Sequence, residues 1–423
     1  ESVKVVLLKK AVTGVTVEKF AIRDLNLTPE EYSNQDLKRL KILDVLKDIQ
    51  KEKGFKFEAD TVVCFGKGSV SVRLINTPKI GEAALRSAMA LSTPEYVPID
   101  LKEMVWDIQV IQKLEQVGAL NMGSSEKMEV ILAVARRAVV NDYLKMFLEF
   151  KYAPEILEVQ SLASVNYSCL NAPPGIEECW AKADLGAEVS MVNIMIGDNL
   201  RFSSDIPWGG RLVTRVIAQA LSLSWSEAEE YKRSLDFSVF ADPALPKGDK
   251  EQSIAAAIEP VLKELIRHIN GAVNFYEARS NGAVIKRISL GGGTAKLKNI
   301  DKFLSLRMNR SASTIGEWEA GMIKANPGIG PLLNDELPRL DIAIASALRG
   351  LTPLVNKVNL LPREVVDERK TYARRKLSII AFAGIALVLM YMTLSKFLQF
   401  SRVLRDVRAL DGVSFEVARG EWI

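Results

Sequence analysis

The stretch "WAKADLGAEVSMVNIMIGDNLRFSSDIPWGG", Trp180 to Gly210, runs in blocks of strand length. The blocks are broken at Asp184-Leu185-Gly186 and at Gly197-Asp198-Asn199. It predicts two strands around a D-x-G turn, a second hairpin around "GDN", and a Gly-Gly end at Gly209 and Gly210. A glycine turn lets backbone N–H groups approach a phosphate, because no Cβ stands in the way. An aspartate at the strand end can hold a hydrated magnesium ion beside that phosphate. Asp184 and Gly186 fill those positions, and the Ser190 hydroxyl lies on the following strand. D-x-G is also ordinary turn chemistry, so its surroundings must decide.

Downstream, "ISLGGGTAKL", Ile288 to Leu297, predicts a strand, then Gly291, Gly292 and Gly293, then a helix. That order suits backbone contact with a nucleotide at a helix N-terminus. It lacks the lysine of a Walker A loop and the spacing of a Rossmann turn. Upstream, "ESVKVVLLKKAVTGVTVEKF" repeats the strand–turn–strand form of "EVSMVNIMIGDNLRF" but has no counterpart of "ADLGA" before it. An N-terminal strand and its glycine turn are therefore expected to be missing from this sequence.

The rest of the body alternates strands and helices. "NQDLKRLKILDVLKDIQKEKG" predicts a helix with Leu37, Leu40, Leu43, Leu46 and Ile49 on one face, ending at Gly54. "DTVVCF" and "SVSVRLI" read as strands, and residues 77–151 as a small α/β insert. The 423 residues allow two or more domains, and a net charge of +4 gives no reason to expect a nucleic-acid partner. Cys64, Cys169 and Cys179 show no metal or disulfide spacing and are expected as free thiols in a cytoplasmic domain. The single histidine, His268, falls in an amphipathic helix without a nucleophile signature, which speaks against triad chemistry.

Near the C-terminus, "LSIIAFAGIALVLMYMTL", Leu377 to Leu394, is uncharged and long enough to cross a bilayer. The basic cluster "ERKTYARRK" before it places residues 1–376 inside and the C-terminus outside. Beyond the span, Phe400, Val403, Val407 and Leu410 have heptad-like spacing, which suits a continuing helix.

The D-x-G hairpin, Gly209-Gly210, the "AEEYK" helix and the strand–GGG element follow the order of actin-like ATPases. "TPEYVPIDLKEMVWDIQVI", "MEVILAVARRAVVNDYLKMFLEF", "DIPWGGRLVTRVIAQALSLSWSEAEEYKRS" and "DIAIASALRG" resemble the PilM family, FtsA-like proteins of type IV pilus assembly. The resemblance covers about residues 1–350. It implies an α/β, actin-like two-lobed fold with an inserted α/β subdomain, followed by one transmembrane helix. The implied division is 1–76 and 152–179 for lobe one, 77–151 for the insert, and 180–350 for lobe two with its closing helix. It goes on with 351–376 for a peptide and basic linker, 377–394 for the span, and 395–423 for a truncated extracytoplasmic segment.

By the same resemblance, Asp184, Gly186 and Ser190 form the second phosphate motif, with Asp184 holding magnesium through water. Glu229 and Lys232 face adenosine or ribose, Gly291, Gly292 and Gly293 form the adenosine motif, and Gly209 and Gly210 lie near the phosphates. Of the first phosphate motif only Ser2 and Lys4 remain. ATP or ADP with Mg is the implied cofactor, with weak or no ATPase turnover, since no residue stands out as a water-positioning base.

"VNLLPREVV" resembles the N-terminal peptide of the PilN family, with Asn359, Leu360, Leu361 and Pro362 carrying the match. That implies a PilM–PilN fusion, a peptide that docks in a groove of the body, and PilN- or PilO-like inner-membrane partners, with self-association left open. The expected function is a single-pass platform in a bacterial inner membrane with a cytoplasmic body. The alternatives are the L component of type II secretion and, more distantly, a sugar- or acetate-kinase-like phosphotransferase. The end, "LRDVRALDGVSFEVARGEWI", resembles the opening strands of an ABC transporter ATPase domain and receives no function.

Overall fold

A computed structural model describes residues 1–11, 14–52, 55, 61–66, 68–91, 103–111, 127–149, 154–171, 175, 177–240, 249–280, 282–316, 323–352 and 354–410. The chain divides into two compact units, Glu1–Leu361 and Pro362–Ile423. The end of the ABC-like piece, 411–423, the "TPEYVPID" stretch and Gly54 lie outside the described residues.

In the first unit the opening strands β1 (Ser2–Lys10) and β2 (Val15–Asp24) form an antiparallel hairpin. A short helix α1 (Pro29–Ser33) follows, started by a reciprocal Thr28–Glu31 capping box, then α2 (Gln35–Lys51), capped by Asn34. Leu43, Leu46 and Ile49 of α2 are buried, but Leu37 and Leu40 are exposed, so only the C-terminal half of the expected face meets the core. Next come β3 (Val62–Phe65), β4 (Val70–Pro78), α3 (Glu82–Leu91), β5 (Met104–Val110), β6 (Lys127–Arg136), α4 (Arg137–Glu149), β7 (Ile156–Val159) and α5 (Gln160–Asn171).

Strands β4, β6 and β5 make a separate antiparallel sheet, covered by Leu85 and Met89 of α3. This sheet already includes residues before 77. β4 starts at Val70 and pairs with β6 along its whole length, which ties it to this sheet rather than to β3.

The second half of the unit supplies β8 (Cys179–Asp184), β9 (Ser190–Ile196), β10 (Asn199–Ile206), α6 (Gly210–Leu221), α7 (Trp225–Ser234) and α8 (Asp249–Glu277). It continues with β11 (Arg287–Gly291), α9 (Ile300–Met308), β12 (Ser311–Thr314), β13 (Ile323–Ala325) and α10 (Gly330–Leu348). Five strands make one sheet in the order β10-β9-β8-β11-β12. The first three are an antiparallel meander, and β11 and β12 run parallel to β8. The expected strand–turn–strand–hairpin reading of Trp180–Gly210 is thus what folds. An apolar core from Ala181, Ile194, Val213, Ile258, Leu290 and their neighbours holds it against α6, α8 and α9.

The first lobe follows much of the same plan, with β13 added as a parallel strand beside β2 and one strand position unfilled. β1 and β2 correspond to β9 and β10, and β3 and β7, a parallel pair, to β11 and β12. Between β1 and β3, where the second lobe has β8, no strand stands among the described residues. The burial reflects it: Ser190–Met195 of β9 are buried throughout, while Val5–Leu8 of β1 are only half-buried.

In the second unit, α11 (Arg363–Leu410) is one long helix. Among the described residues, Gly384–Arg402 is apolar and long enough to cross a membrane, and it overlaps the expected span from Gly384 to Leu394.

Candidate functional site

A cavity of about 2560 Å³ opens between the lobes of the first unit. β8 delivers Asp184 to its wall, and the following turn is held from two sides. The Leu185 N–H donates to the Gly291 carbonyl (2.8 Å), and the Thr294 N–H donates to the Leu185 carbonyl (3.0 Å). From the other side the Gly210 and Arg211 N–H groups donate to the carbonyls of Gly186 (3.0 Å) and Ala187 (2.9 Å). The turn after Asp184 is therefore a rigid joint between β11 and the start of α6.

Two glycines exist for that joint. Gly292 has φ +85°, and a Cβ there would meet Asp184 Oδ1 at 2.2 Å and the Leu185 carbonyl oxygen at 2.4 Å. A Cβ on Gly209 would stand 2.1 Å from the Ala187 carbonyl oxygen, with only backbone to give way. Gly209→Ala is therefore expected to destabilise the body by about 1–3 kcal/mol, as overpacking does. Chemical denaturation of the two proteins measures it, and an unchanged midpoint would contradict the close approach.

Around the cavity wall sit three ion-pair groups. The α7 capping box, Ser224 with Glu227, fixes the start of the helix that presents Glu229 and Lys232. Lys232 Nζ lies 2.6 Å from Glu229 Oε2 and donates to Thr214 Oγ1 (2.9 Å) and the Gly210 carbonyl (3.3 Å). Burial lowers the Lys232 pKa against the pull of Glu229. Burial raises that of Glu229, but Lys232, Thr214 and Arg233 outweigh it and hold the carboxyl below its usual value. Deeper in, Lys182 of β8 and Asp341 of α10 form a buried pair, Nζ to Oδ2 3.0 Å. Burial pushes Asp341 above the usual carboxylate range, with Lys182 opposing. At the rim, Arg211 pairs with Glu188 and stacks over the rings of Tyr32 (4.7 Å) and Trp225 (4.3 Å), joining α1 to α7.

A second site lies where the chain leaves α10. Asn356–Leu361 runs in an extended groove against β7, with a bridge between Asn359 and Glu158. The Leu360 N–H donates to the Leu157 carbonyl (3.0 Å), and the Asn359 side-chain oxygen accepts from the Leu157 and Leu361 N–H groups (3.0 Å each). From the insert, Asp107 Oδ2 accepts the Asn359 N–H (2.8 Å) and Gln109 donates to the Val355 carbonyl (2.7 Å). Arg349 donates to the carbonyls of Asn356 (2.6 Å), Lys357 and Val358 (3.1 Å), and its Nε lies 3.1 Å from the buried Glu158 carboxylate. Burial pushes Glu158 up to about 8, against the attraction of Arg349. Val358, Leu360 and Leu361 are all buried. Pro362 opens the second unit, where its carbonyl accepts the Val365 (3.0 Å) and Val366 (3.2 Å) N–H groups at the start of α11. A proline there also favours an extended Leu361.

The family model for "Type IV pilus assembly protein PilM" matches residues 1–351. The chain belongs to the PilM family. Among solved structures it is similar to a "PilM-PilN type IV pilus biogenesis complex", at 21% identity over 83% of this chain and 96% of that one, with a TM-score of 0.64. Weaker likenesses include MreB5 of Spiroplasma citri bound to AMPPNP, at 11% identity, 77% of this chain and 78% of that one, TM-score 0.37. Another is the MamK double helical filament, at 13% identity, 78% of this chain and 82% of that one, TM-score 0.38. The fold is actin-like.

Within this PilM-family body, seven candidate residues line the cavity: Asp184, Gly186, Gly210, Glu229, Lys232, Gly292 and Gly293. Ser190, Gly209 and Gly291 are brought close but do not line it. The Ser190 hydroxyl is turned into its own turn, where it accepts the Gly186 N–H (3.2 Å). The glycine run leads into a 3-10 turn, Gly293–Lys296, and α9 begins only at Ile300, so the expected helix N-terminus is not at the glycines. Lys182, Asp341, Arg211 and Arg349 were missed. A charged residue at an inward position of an apolar strand, "CWAKAD", or of an apolar helix, "LDIAIASAL", was the available signal for the first two. Cys64, Cys169 and Cys179 are free thiols, and His268 lies on α8 beside Glu264.

Proposed function

We propose that this PilM-family chain is a membrane-anchored platform of type IV pilus assembly, whose actin-like body binds ATP or ADP in the cleft and carries its own PilN-like peptide in the groove. The observation that carries this reading is the joining of three parts in one chain. A cleft of actin-like form, a seated Asn359-Leu360-Leu361 core and an apolar helix follow one another without a break. The anchor would be the inner membrane, with the body on its basic-cluster side, the cytoplasm.

In the cleft, Asp184 would hold magnesium through water, Gly293 would let the nucleotide approach the backbone, and Glu229 and Lys232 would face the ribose or base. The fit is supported by the chemistry of the wall. A buried carboxylate lies opposite a turn whose outer face lines the cavity, and adding a Cβ at Gly293 would meet nothing within 4 Å. Magnesium would supply charge neutralisation for the phosphates. PilN- and PilO-like proteins are the expected neighbours, by family.

Titration calorimetry of the full chain in detergent with Mg–ATP and Mg–ADP tests the nucleotide half. Binding is expected, and Asp184→Ala should weaken it by at least about tenfold, the order of one lost charge-assisted contact. Absence of heat from a folded chain would sink it.

A further inference from the structure

The groove holds more of the chain than the Asn-Leu-Leu core, and it treats different positions differently. Asp107, Gln109 and Arg349 touch backbone N–H and carbonyl groups of Val355 to Asn359, which any residue type offers. Lys357 is exposed. Side chains are enclosed at Val358, Leu360 and Leu361, half-buried at Asn359, and enclosed again three residues before the core, at Asn356, which is 1% exposed.

Asn356 meets Asn166 of α5. The Asn166 side-chain oxygen accepts the Asn356 backbone N–H (2.9 Å) and its side-chain amide (3.2 Å). The Asn166 side-chain amide donates to the Asn356 carbonyl (3.0 Å). The two backbone groups have fixed roles, so they fix which end of the Asn166 amide is oxygen. Asn166 is itself buried and held in place by this exchange. An acceptor oxygen therefore faces the side chain at position 356 in a dry site.

We infer that Asn166 is a specificity-determining residue of the groove, selecting an extended peptide of the pattern Asn-x-Val-Asn-Leu-Leu in which the first asparagine donates to it. The inference rests on the docking half of the proposed function. A donor at that position gains a bond, an apolar residue loses one, and a carboxylate meets an acceptor with no proton to share. The partner that fits is thus a peptide strand carrying this pattern, apolar at its third, fifth and sixth positions and unrestricted at its second.

The test uses the full chain carrying Leu360→Asp, so that its own segment leaves the groove, and fluorescent peptides of residues 354–364 in three forms. Fluorescence anisotropy should show the unaltered peptide binding, the Asn356→Ala form about tenfold more weakly, and the Asn356→Asp form more than a hundredfold more weakly. Equal binding by all three overturns the selection and leaves the groove reading intact. No binding of the unaltered peptide overturns the groove reading itself, and the selection with it. An independent measurement avoids the Leu360 substitution. In the otherwise unaltered full chain, Asn356→Asp should raise hydrogen exchange at the Leu360 amide at least tenfold and Asn356→Ala less. Exchange unchanged in both overturns the inference.

Discussion

Replacing Lys182 by methionine is expected to lower the stability of the body by about 3–5 kcal/mol, the cost of breaking a buried ion pair by removing one partner. Lys182 is fully buried and Asp341 is 1% exposed, so no water replaces the lost ammonium. Asp341→Leu should do comparable damage by leaving the ammonium alone. The double variant Lys182→Met with Asp341→Leu should recover most of the loss, since an apolar pair carries no desolvation cost.

The sign with pH follows from the carboxylate. Burial already raises the folded-state pKa of Asp341 above the ordinary aspartate value, and losing Lys182 raises it further. The folded single variant then binds a proton that the unfolded chain has released, so its stability falls as pH rises above about 4. Urea unfolding at pH 5 and pH 8 measures both effects. The deficit of Lys182→Met should be smaller at pH 5. A single variant within 1 kcal/mol of the parent at both values would mean that the pair contributes little to stability.

The other large effect is expected at Leu360. Its side chain is fully buried in the groove and its N–H bonds to β7. Aspartate forfeits about 1.5–3 kcal/mol of apolar burial and adds the cost of an unpaired carboxylate in a dry site. Together these exceed what the remaining backbone bonds supply, so Leu360→Asp should vacate the groove. Hydrogen exchange at the Leu157 and Leu360 amides should rise by more than a hundredfold, and a protease should cut within residues 349–361. Unchanged protection would mean that the leucine is not an anchor.

Much of this architecture was legible in the residues, for reasons that differ by element. β8, β9 and β10 announce themselves because β9 is apolar almost throughout and the turns on either side of it carry their own glycine or asparagine. The Asn-Leu-Leu run is short enough to be seen in the residues, but its seat along β7 depends on the fold. The cleft's wiring was not legible. Lys182 and Asp341 are 159 residues apart, and only the folded β8 and α10 bring them within 3.0 Å. Three consecutive glycines look alike in sequence. Yet Gly292 is pressed against a carboxylate and a carbonyl, while Gly293 stands open. Ser190 has the right residue type for a phosphate contact, but its hydroxyl caps its own turn. Leu37 and Leu40 continue the helical spacing of α2 past the point where anything packs on it.

Seven residues separate Leu348, the end of α10, from Asn356, where the groove begins. A tether that short makes seating the segment a unimolecular event, with a local concentration of the order of millimolar. A separate peptide of equal intrinsic affinity would have to approach that concentration to hold half of the grooves. It would also arrive no faster than the resident segment lets go. The timing of any exchange in this groove is therefore set by how often its own strand peels away, and crowding the solution with competitor changes the outcome without quickening the first step.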